Sequence, residues 1–253
     1  MFELDNIQIH RNQRQILDID HLQISSDSFT LLLGHNGSGK STLLNLMARQ
    51  VHPDKGGINF NEQPLNKLKQ RQLAREIAYL PQHLPDAPGL TVKELVRLGR
   101  FPWRGLLGRY SAEDNHKITQ ALLQTGVADF ANTLVDQLSG GERQRAWIAM
   151  LLAQESPVLI LDEPTAALDL AHQYELLSML KELHQQHNRG VIIVLHDINL
   201  ALRFASQVIV LKQGKLAFQG DIEQFANQQS LSNLFNVNIE LLNHQNNKVA
   251  VVC

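Results

Sequence analysis

The run Gly34-His35-Asn36-Gly37-Ser38-Gly39-Lys40-Ser41 has the residue types and spacing of a phosphate cradle, G-x-x-x-x-G-K-[ST]. Glycines let the backbone curl until its N–H groups face phosphate oxygens. The apolar run Phe29-Thr30-Leu31-Leu32-Leu33 before it reads as a strand, and Leu43 to Arg49 after it as a helix. The helix then adds its positive end to the loop amides. Lys40 suits the β- and γ-phosphates of a nucleoside triphosphate, and the Ser41 hydroxyl suits Mg²⁺. Gly34, His35, Asn36, Gly37, Ser38, Gly39, Lys40, Ser41 and Thr42 are the expected nucleotide-binding set. The bland alternative is a glycine-rich turn, which the flanking strand and helix disfavour.

Hydrolysis of a bound triphosphate needs a metal-holding carboxylate and a group that activates water. Val158-Leu159-Ile160-Leu161-Asp162-Glu163-Pro164 supplies both. A buried aliphatic strand delivers its last side chains to the carboxyl edge of a sheet, where open α/β folds bind ligands. Asp162 is expected to hold Mg²⁺, directly or through water, and Glu163 to orient and partly deprotonate the attacking water. Taken alone, the two acids are as well explained as a turn after a core strand.

Ser139-x-x-Glu142, within Leu138-Ser139-Gly140-Gly141-Glu142, is a capping box for a helix running on to Leu151. A capped helix is the plain reading. Two glycines in its first turn are poor helix formers. They make sense where something approaches the backbone closely, and such a helix start suits a phosphate.

With these segments in order, the chain resembles the ABC ATPases over essentially its whole length. Leu138 to Glu142 is similar to the signature of that family. The resemblance implies a head-to-tail homodimer, in which Ser139, Gly140, Gly141 and Glu142 of one copy close over ATP on the phosphate loop of the other. It also assigns Gln82 as the Q-loop glutamine and a metal ligand, Leu168-Asp169 as the D-loop, and His196 as the switch histidine that contacts the γ-phosphate. Glu163, His196 and Gln82 form the expected catalytic set, with Ser41, Gln82 and Asp162 around the metal and Asp169 at the nucleotide. The implied fold is α/β: a P-loop core with a mostly parallel central sheet, an N-terminal antiparallel β subdomain and a helical insertion.

A narrower resemblance rests on Tyr79-Leu80-Pro81-Gln82, Gly99-Arg100-Phe101-Pro102-Trp103, Gly108-Arg109-Tyr110, Ser139 to Ala149 and His196-Asp197-Ile198-Asn199. These look like the ATPases of iron-siderophore and vitamin B12 importers, most nearly the ferric hydroxamate type. That implies polytopic permease subunits as partners and, indirectly, a periplasmic or lipid-anchored binding protein. It places the chain peripherally on the cytoplasmic side of the bacterial inner membrane. A competing reading is a non-transport ABC ATPase of a soluble assembly machine. Another is a nucleotide-binding module without catalysis, against which intact Glu163 and His196 count.

Two positions depart from the family pattern. Arg11 stands where an aromatic residue usually stacks on adenine. It either stacks its guanidinium on the base or is a solvated surface arginine, and GTP is then expected to serve nearly as well as ATP. Glu142 replaces the usual glutamine and should still accept from ribose hydroxyls.

The elements that position these residues follow from the apolar pattern. Phe2, Leu4, Ile7 and Ile9 alternate with a break; Gly57 to Phe60 and Ile77 to Leu80 read as strands; Val92 to Leu98, Lys117 to Thr125 and Leu170 to His187 read as helices. Val191 to Leu195 is a further strand, and Val208 to Leu211 with Leu216 to Phe218 forms a hairpin around Gly214. A helical insertion is expected over 84–152 of a single domain, 1–253. Phe101-Pro102-Trp103 with Leu106 and Leu107 is either a docking patch for a membrane subunit or, for Trp103 above all, internal packing. The tail beyond Asp221 is rich in Gln and Asn, yet its apolar spacing reads as packed. At 253 residues and 43% hydrophobic the chain can bury one sizeable core. A net charge of -2 gives no reason to expect nucleic acid. The single cysteine, Cys253, precludes an internal disulfide, as expected in a reducing compartment. The start Met1-Phe2-Glu3-Leu4-Asp5 lacks the features of a signal peptide. No apolar run approaches the roughly 18 residues of a membrane helix. The expectation is a soluble, cytoplasmic chain.

Overall fold

The structure, a computed structural model, describes residues 1–104, 108–244 and 247–253. The chain divides into two compact units, 1–68 with 184–253, and 69–183.

The first unit opens with β1 (Phe2–Arg11) and β2 (Arg14–Ile24), paired antiparallel from Phe2↔Ile24 to Arg11↔Arg14. Asn12 and Gln13 between them both have positive φ, as a two-residue hairpin turn demands. The break in the alternation of β1 has a cause: Asn6 sits at φ 52 and is skipped in the ladder, so Leu4 and Ile7 both point inward. β3 (Phe29–Leu33), buried throughout, leads through the phosphate loop to α1 (Lys40–Met47). β4 (Lys55–Phe60) and β5 (Gln63–Pro64) complete a four-stranded antiparallel sheet in the order β2-β1-β4-β5.

The second unit contains α2 (Gln70–Glu76), β6 (Ile77–Leu80), α3 (Val92–Leu98), α4 (Phe101–Arg104), α5 (Ala112–Gln124), α6 (Gly140–Gln154), β7 (Val158–Leu161) and most of α7 (Leu170–His187). It carries β6 and β7 along with its helices. These two strands pair parallel, Ile77↔Val158 to Leu80↔Leu161. Helices α3, α5 and α6 all begin with a capping box: Thr91 with Glu94, Ser111 with Asp114, Ser139 with Glu142. The box at Ser111 starts α5 five residues before Lys117, through a polar turn that carries no apolar signal.

An ionic cluster around the buried Arg100 joins the turn after α3 to α5 and to the end of α6. The Arg100 guanidinium reaches Asp114 at 2.8 Å, Glu155 at 3.0 Å and the Ala153 carbonyl at 2.8 Å, and Lys117 meets Glu155 at 2.6 Å. Trp103 donates its indole N–H to the Gln154 carbonyl at 2.6 Å, and the guanidiniums of Arg75 and Arg100 stack on its ring. Its polar contacts thus go inward, while Phe101 is 46% exposed. Leu106 and Leu107 lie outside the described residues.

The chain returns to the first unit with β8 (Gly190–Val194), α8 (Ile198–Phe204), β9 (Gln207–Lys212) and β10 (Lys215–Asp221). β3 pairs parallel with both β8 and β9, and β10 pairs antiparallel with β9. β3 and β8 are buried on both faces, which explains their unbroken apolar runs. The Gln- and Asn-rich tail is structured: α9 (Ile222–Phe225), α10 (Gln228–Phe235) and a hairpin of β11 (Ile239–His244) and β12 (Asn247–Val252). Phe225, Leu231 and Ile239 anchor it as buried residues.

Candidate functional site

In the first unit the phosphate loop is braced by its neighbours. Gly39, the residue before α1, has φ 100, and a Cβ there would lie 2.5 Å from Leu17 Cδ2, so only glycine fits. The β9–β10 turn holds the loop from the other side, with Gly214 N–H donating to the Ser38 carbonyl at 3.1 Å and Asp18 N–H to the Gly214 carbonyl at 2.8 Å. A Cβ on Gly37, at φ 76, would meet nothing within 4 Å, so the backbone there is open to a ligand.

The first turn of α1 has no side-chain cap and no acidic residue. The positive end of its dipole favours an anion there. The Lys40 side chain is buried and its ammonium donates to the loop's own carbonyls, Gly34 at 2.8 Å and His35 at 3.0 Å. The Ser38 hydroxyl is buried without a hydrogen-bond partner. A buried hydroxyl without a partner costs free energy that a phosphate oxygen would recover. Amides, ammonium and orphan hydroxyl together fit a nucleoside triphosphate.

His196 follows β8 at the start of α8. Asp197 caps that helix, its carboxylate accepting from Asn199 N–H at 2.7 Å and Leu200 N–H at 3.4 Å. The ring of His35, inside the phosphate loop, lies edge-on to Phe235 of α10 with centroids 6.2 Å apart. Arg11 is at the tip of the β1–β2 hairpin. Its guanidinium donates to the His10 carbonyl at 3.0 Å and lies 4.0 Å from Asp54. The His10 backbone N–H, with Arg11 adding to it, holds the Asp54 carboxyl below the usual range.

The second unit holds the remaining predicted residues. The parallel register that aligns Leu80 with Leu161 brings the next residues side by side as well. Asp162 N–H donates to the Leu80 carbonyl at 2.9 Å, and two residues past the strand the Gln82 amide donates to the Glu163 carboxylate at 2.8 Å. Asp162 is buried. Burial, and then the Asp162 charge, push the nearby Tyr79 phenol well above its ordinary value, so it stays neutral. Glu163 itself has φ 50, a left-handed conformation costly for a side chain with a Cβ and characteristic of functional turns.

The turn after Glu163 leads to Asp169, which takes the His172 backbone N–H at 2.9 Å and the His172 ring at 2.8 Å. These bonds, the backbone one foremost, depress the Asp169 pKa. Ser139 and Glu142 exchange the capping-box bonds, with Ser139 N–H to Glu142 Oε2 at 2.8 Å and the hydroxyl to the same oxygen at 2.7 Å. Glu142 is thereby turned back onto its own helix start, and its pKa is lowered by the Ser139 hydroxyl and then the Ser139 amide. The two glycines differ. A Cβ on Gly141 would meet the chain's own Leu168 at 3.2 Å, whereas on Gly140, which is exposed, it would meet only Ala167 at 3.8 Å. Packing within the chain accounts for Gly141; Gly140 is the one left open to an outside group.

The roles of two site-adjacent residues escaped sequence reasoning. Arg143, in α6, donates to the Pro85 carbonyl at 3.0 Å and reaches Asp86 at 3.2 Å, tying the signature helix to the segment after Gln82. Asn199, three residues after His196, bonds both backbone groups of Ala250. Neither has a local signal, since both contacts join residues more than fifty positions apart.

Among the described residues no group of three or more His, Cys, Asp and Glu could hold a metal by itself. The Gln82 amide nitrogen is committed to Glu163, which leaves its carbonyl oxygen as the end available to a cation.

Comparison with known proteins agrees with this geometry. Residues 17–166 match the family described as ABC transporter. The chain is 43% identical over 228 residues to the achromobactin transport ATP-binding protein CbrD of Dickeya dadantii (strain 3937), covering 90% of this chain and 84% of that one. It is 40% identical over 239 residues to the iron(3+)-hydroxamate import ATP-binding protein FhuC of Bacillus subtilis (strain 168), covering 94% and 88%. Among solved structures, the dimeric bacterial ABC transporter cassette MJ0796 superposes with a TM-score of 0.79 at 30% identity, over 88% of this chain and 99% of that one. The family match, the relatives at 40% identity or more and the shared fold agree, and the chain belongs to the ABC transporter family as one of its ATP-binding proteins.

Proposed function

We propose that the chain hydrolyses ATP to drive import of a ferric siderophore, of hydroxamate type, through the inner membrane. It works as a head-to-tail homodimer, docked peripherally on the cytoplasmic face against polytopic permease subunits that receive cargo from a periplasmic or lipid-anchored binding protein. The observation that carries the hydrolytic part is the Gln82–Glu163 hydrogen bond, at a turn where Glu163 adopts φ 50. A carboxylate held by an amide in a costly backbone conformation is aimed rather than merely solvated. The names and coverage of the relatives support the importer part. No helix among the described residues is long and apolar enough to cross a membrane.

Lys40 and the amides of Gly34 to Thr42 bind the β- and γ-phosphates, Lys40 exchanging its loop carbonyls for phosphate oxygens. Ser41, the Gln82 carbonyl and Asp162 are the residues that would hold Mg²⁺, which when bound neutralises the phosphates. Glu163 accepts the proton of the attacking water, and His196 donates to the γ-phosphate. Ser139 and Gly140 of the second copy offer a hydroxyl and N–H groups to the same phosphate, and Asp169 supports the closed pair. The chemistry is positioning and electrostatics, as in phosphoryl transfer generally.

Glu163→Gln should bind ATP and dimerise while turning over about 10²–10⁴-fold more slowly, the usual cost of losing a general base. Undiminished phosphate release by that variant would remove Glu163 from the role. For the cargo, a strain lacking this gene should lose growth on a ferric hydroxamate as sole iron source and regain it on complementation. Unimpaired growth there, with loss on haem or on another siderophore, would reassign it.

A further inference from the structure

The tail Ile222 to Val252 touches the first unit's nucleotide elements at two separate places. At the first, the Asn199 side-chain amide donates to the Ala250 carbonyl at 3.1 Å and accepts from the Ala250 N–H at 2.7 Å. This side chain pairs with strand β12 as a neighbouring strand would, at the edge of a sheet of two strands. A lone hairpin is marginally stable, so the clamp holds the hairpin to α8, and equally α8 to the hairpin. Asn199 lies in the first turn of α8, and its own N–H is taken by the capping Asp197. His196 immediately precedes that cap. The position of the α8 start therefore sets where His196 stands.

At the second place, Phe235 at the end of α10 lies against the His35 ring in the phosphate loop. The tail is tied to itself between these points. Ile239 N–H donates to the Ser232 hydroxyl at 3.0 Å, Lys248 donates to the Ala226 carbonyl at 2.9 Å, and Cys253 N–H to the Asn238 carbonyl at 3.0 Å. It is thus a small packed piece that meets the phosphate loop through Phe235 and the switch helix through β12.

We propose that this tail is a positioning element of the ATPase site, with Asn199 as the positioning residue that fixes His196 through β12, and Phe235 as the one that steadies the phosphate loop through His35. The proposal rests on the reading of His196 as the γ-phosphate contact. It predicts that the two contacts have different kinetic signatures. Loosening α8 misplaces a group used in turnover, whereas loosening the loop weakens nucleotide capture.

The test is steady-state ATP hydrolysis by the full-length chain. Asn199→Ala should lower kcat about tenfold, the scale of losing two hydrogen bonds, with KM for ATP within about twofold. Phe235→Ala should raise KM about threefold and leave kcat near its original value. Amide hydrogen exchange at Ala250 and Leu200 should quicken in the first variant. Should Asn199→Ala fail to fold, Asn199→Asp keeps the acceptor for Ala250 N–H, loses the donor, and should show about a threefold fall in kcat. Unchanged kcat in the Asn199 variant alongside faster exchange at Ala250 overturns the proposal, because the clamp would then serve stability alone. Equal movement of kcat and KM in both variants overturns it too. His196→Ala separates the two levels. Turnover unaffected by that change sinks the histidine's assigned role, while turnover lost there but intact in Asn199→Ala sinks only the positioning role.

Discussion

At the scale of single residues, Arg11 is the position where the sequence and the structure ask different things. An arginine in place of a stacking aromatic reads either as a base contact or as a solvated cation. The structure draws its guanidinium to the His10 carbonyl and towards Asp54. Arg11→Tyr should therefore lower KM for ATP about tenfold, the low end of what base–aromatic stacking contributes. Paired KM measurements with ATP and GTP check this; equal values before and after the change would mean the hairpin tip plays no part in base binding. Several site residues were legible as single letters: the phosphate loop, Asp162, Glu163, and the capping box at Ser139. The Gln82–Glu163 bond was not, because it depends on how β6 and β7 align. Register is a property of two strands. No spacing within either one encodes it.

At the scale of elements, the unbroken apolar strands and the long amphipathic helices were readable, since burial writes their pattern directly. The elements that were missed bury little. In α2 only Leu73 is buried, so seven residues carry no stripe, and the tail hides α9, α10 and a hairpin behind Gln and Asn. The cluster around Arg100 was equally silent, because its members come from Gly99–Arg100, α5 and the end of α6. It also carries a stability prediction. Removing the guanidinium leaves Asp114 buried without its cation, while Glu155, part-exposed, keeps Lys117; breaking a buried pair from one side costs about 3–5 kcal/mol. Arg100→Ala should lose about that much in urea unfolding, and Arg100→Lys should recover only part, since an ammonium cannot reproduce the forked contacts. The capping boxes of α3, α5 and α6 add an acid sensitivity. Glu94 is depressed by its bonds from the Thr91 amide and hydroxyl, and Glu142 by those from Ser139. At Asp114 burial acts upward, but the Ser111 and Arg100 bonds outweigh it and the net shift is down. Folded values below unfolded ones mean stabilisation that is complete above the ordinary carboxylate range, around pH 4, and lost as pH falls through the depressed values. Melting temperature should therefore drop more steeply below about pH 4 than in a chain carrying Glu94→Gln and Glu142→Gln.

At the scale of the whole molecule, the proposed pairing of two copies has a kinetic consequence. If each site needs Ser139 and Gly140 from a second copy, turnover per chain should rise with chain concentration in dilute solution and level off once pairs dominate. A rate per chain independent of dilution over roughly a hundredfold range would argue that one copy suffices. Lys40 bonds the carbonyls of Gly34 and His35 within its own loop. Any anion that enters must compete with two acceptors tethered at high local concentration. A free phosphate or sulfate offers few contacts in return for displacing them. A triphosphate spans the ammonium, the amides and the orphan Ser38 hydroxyl at once. The lysine's internal bonds thus set a threshold that a ligand passes only when it is long enough to repay the exchange.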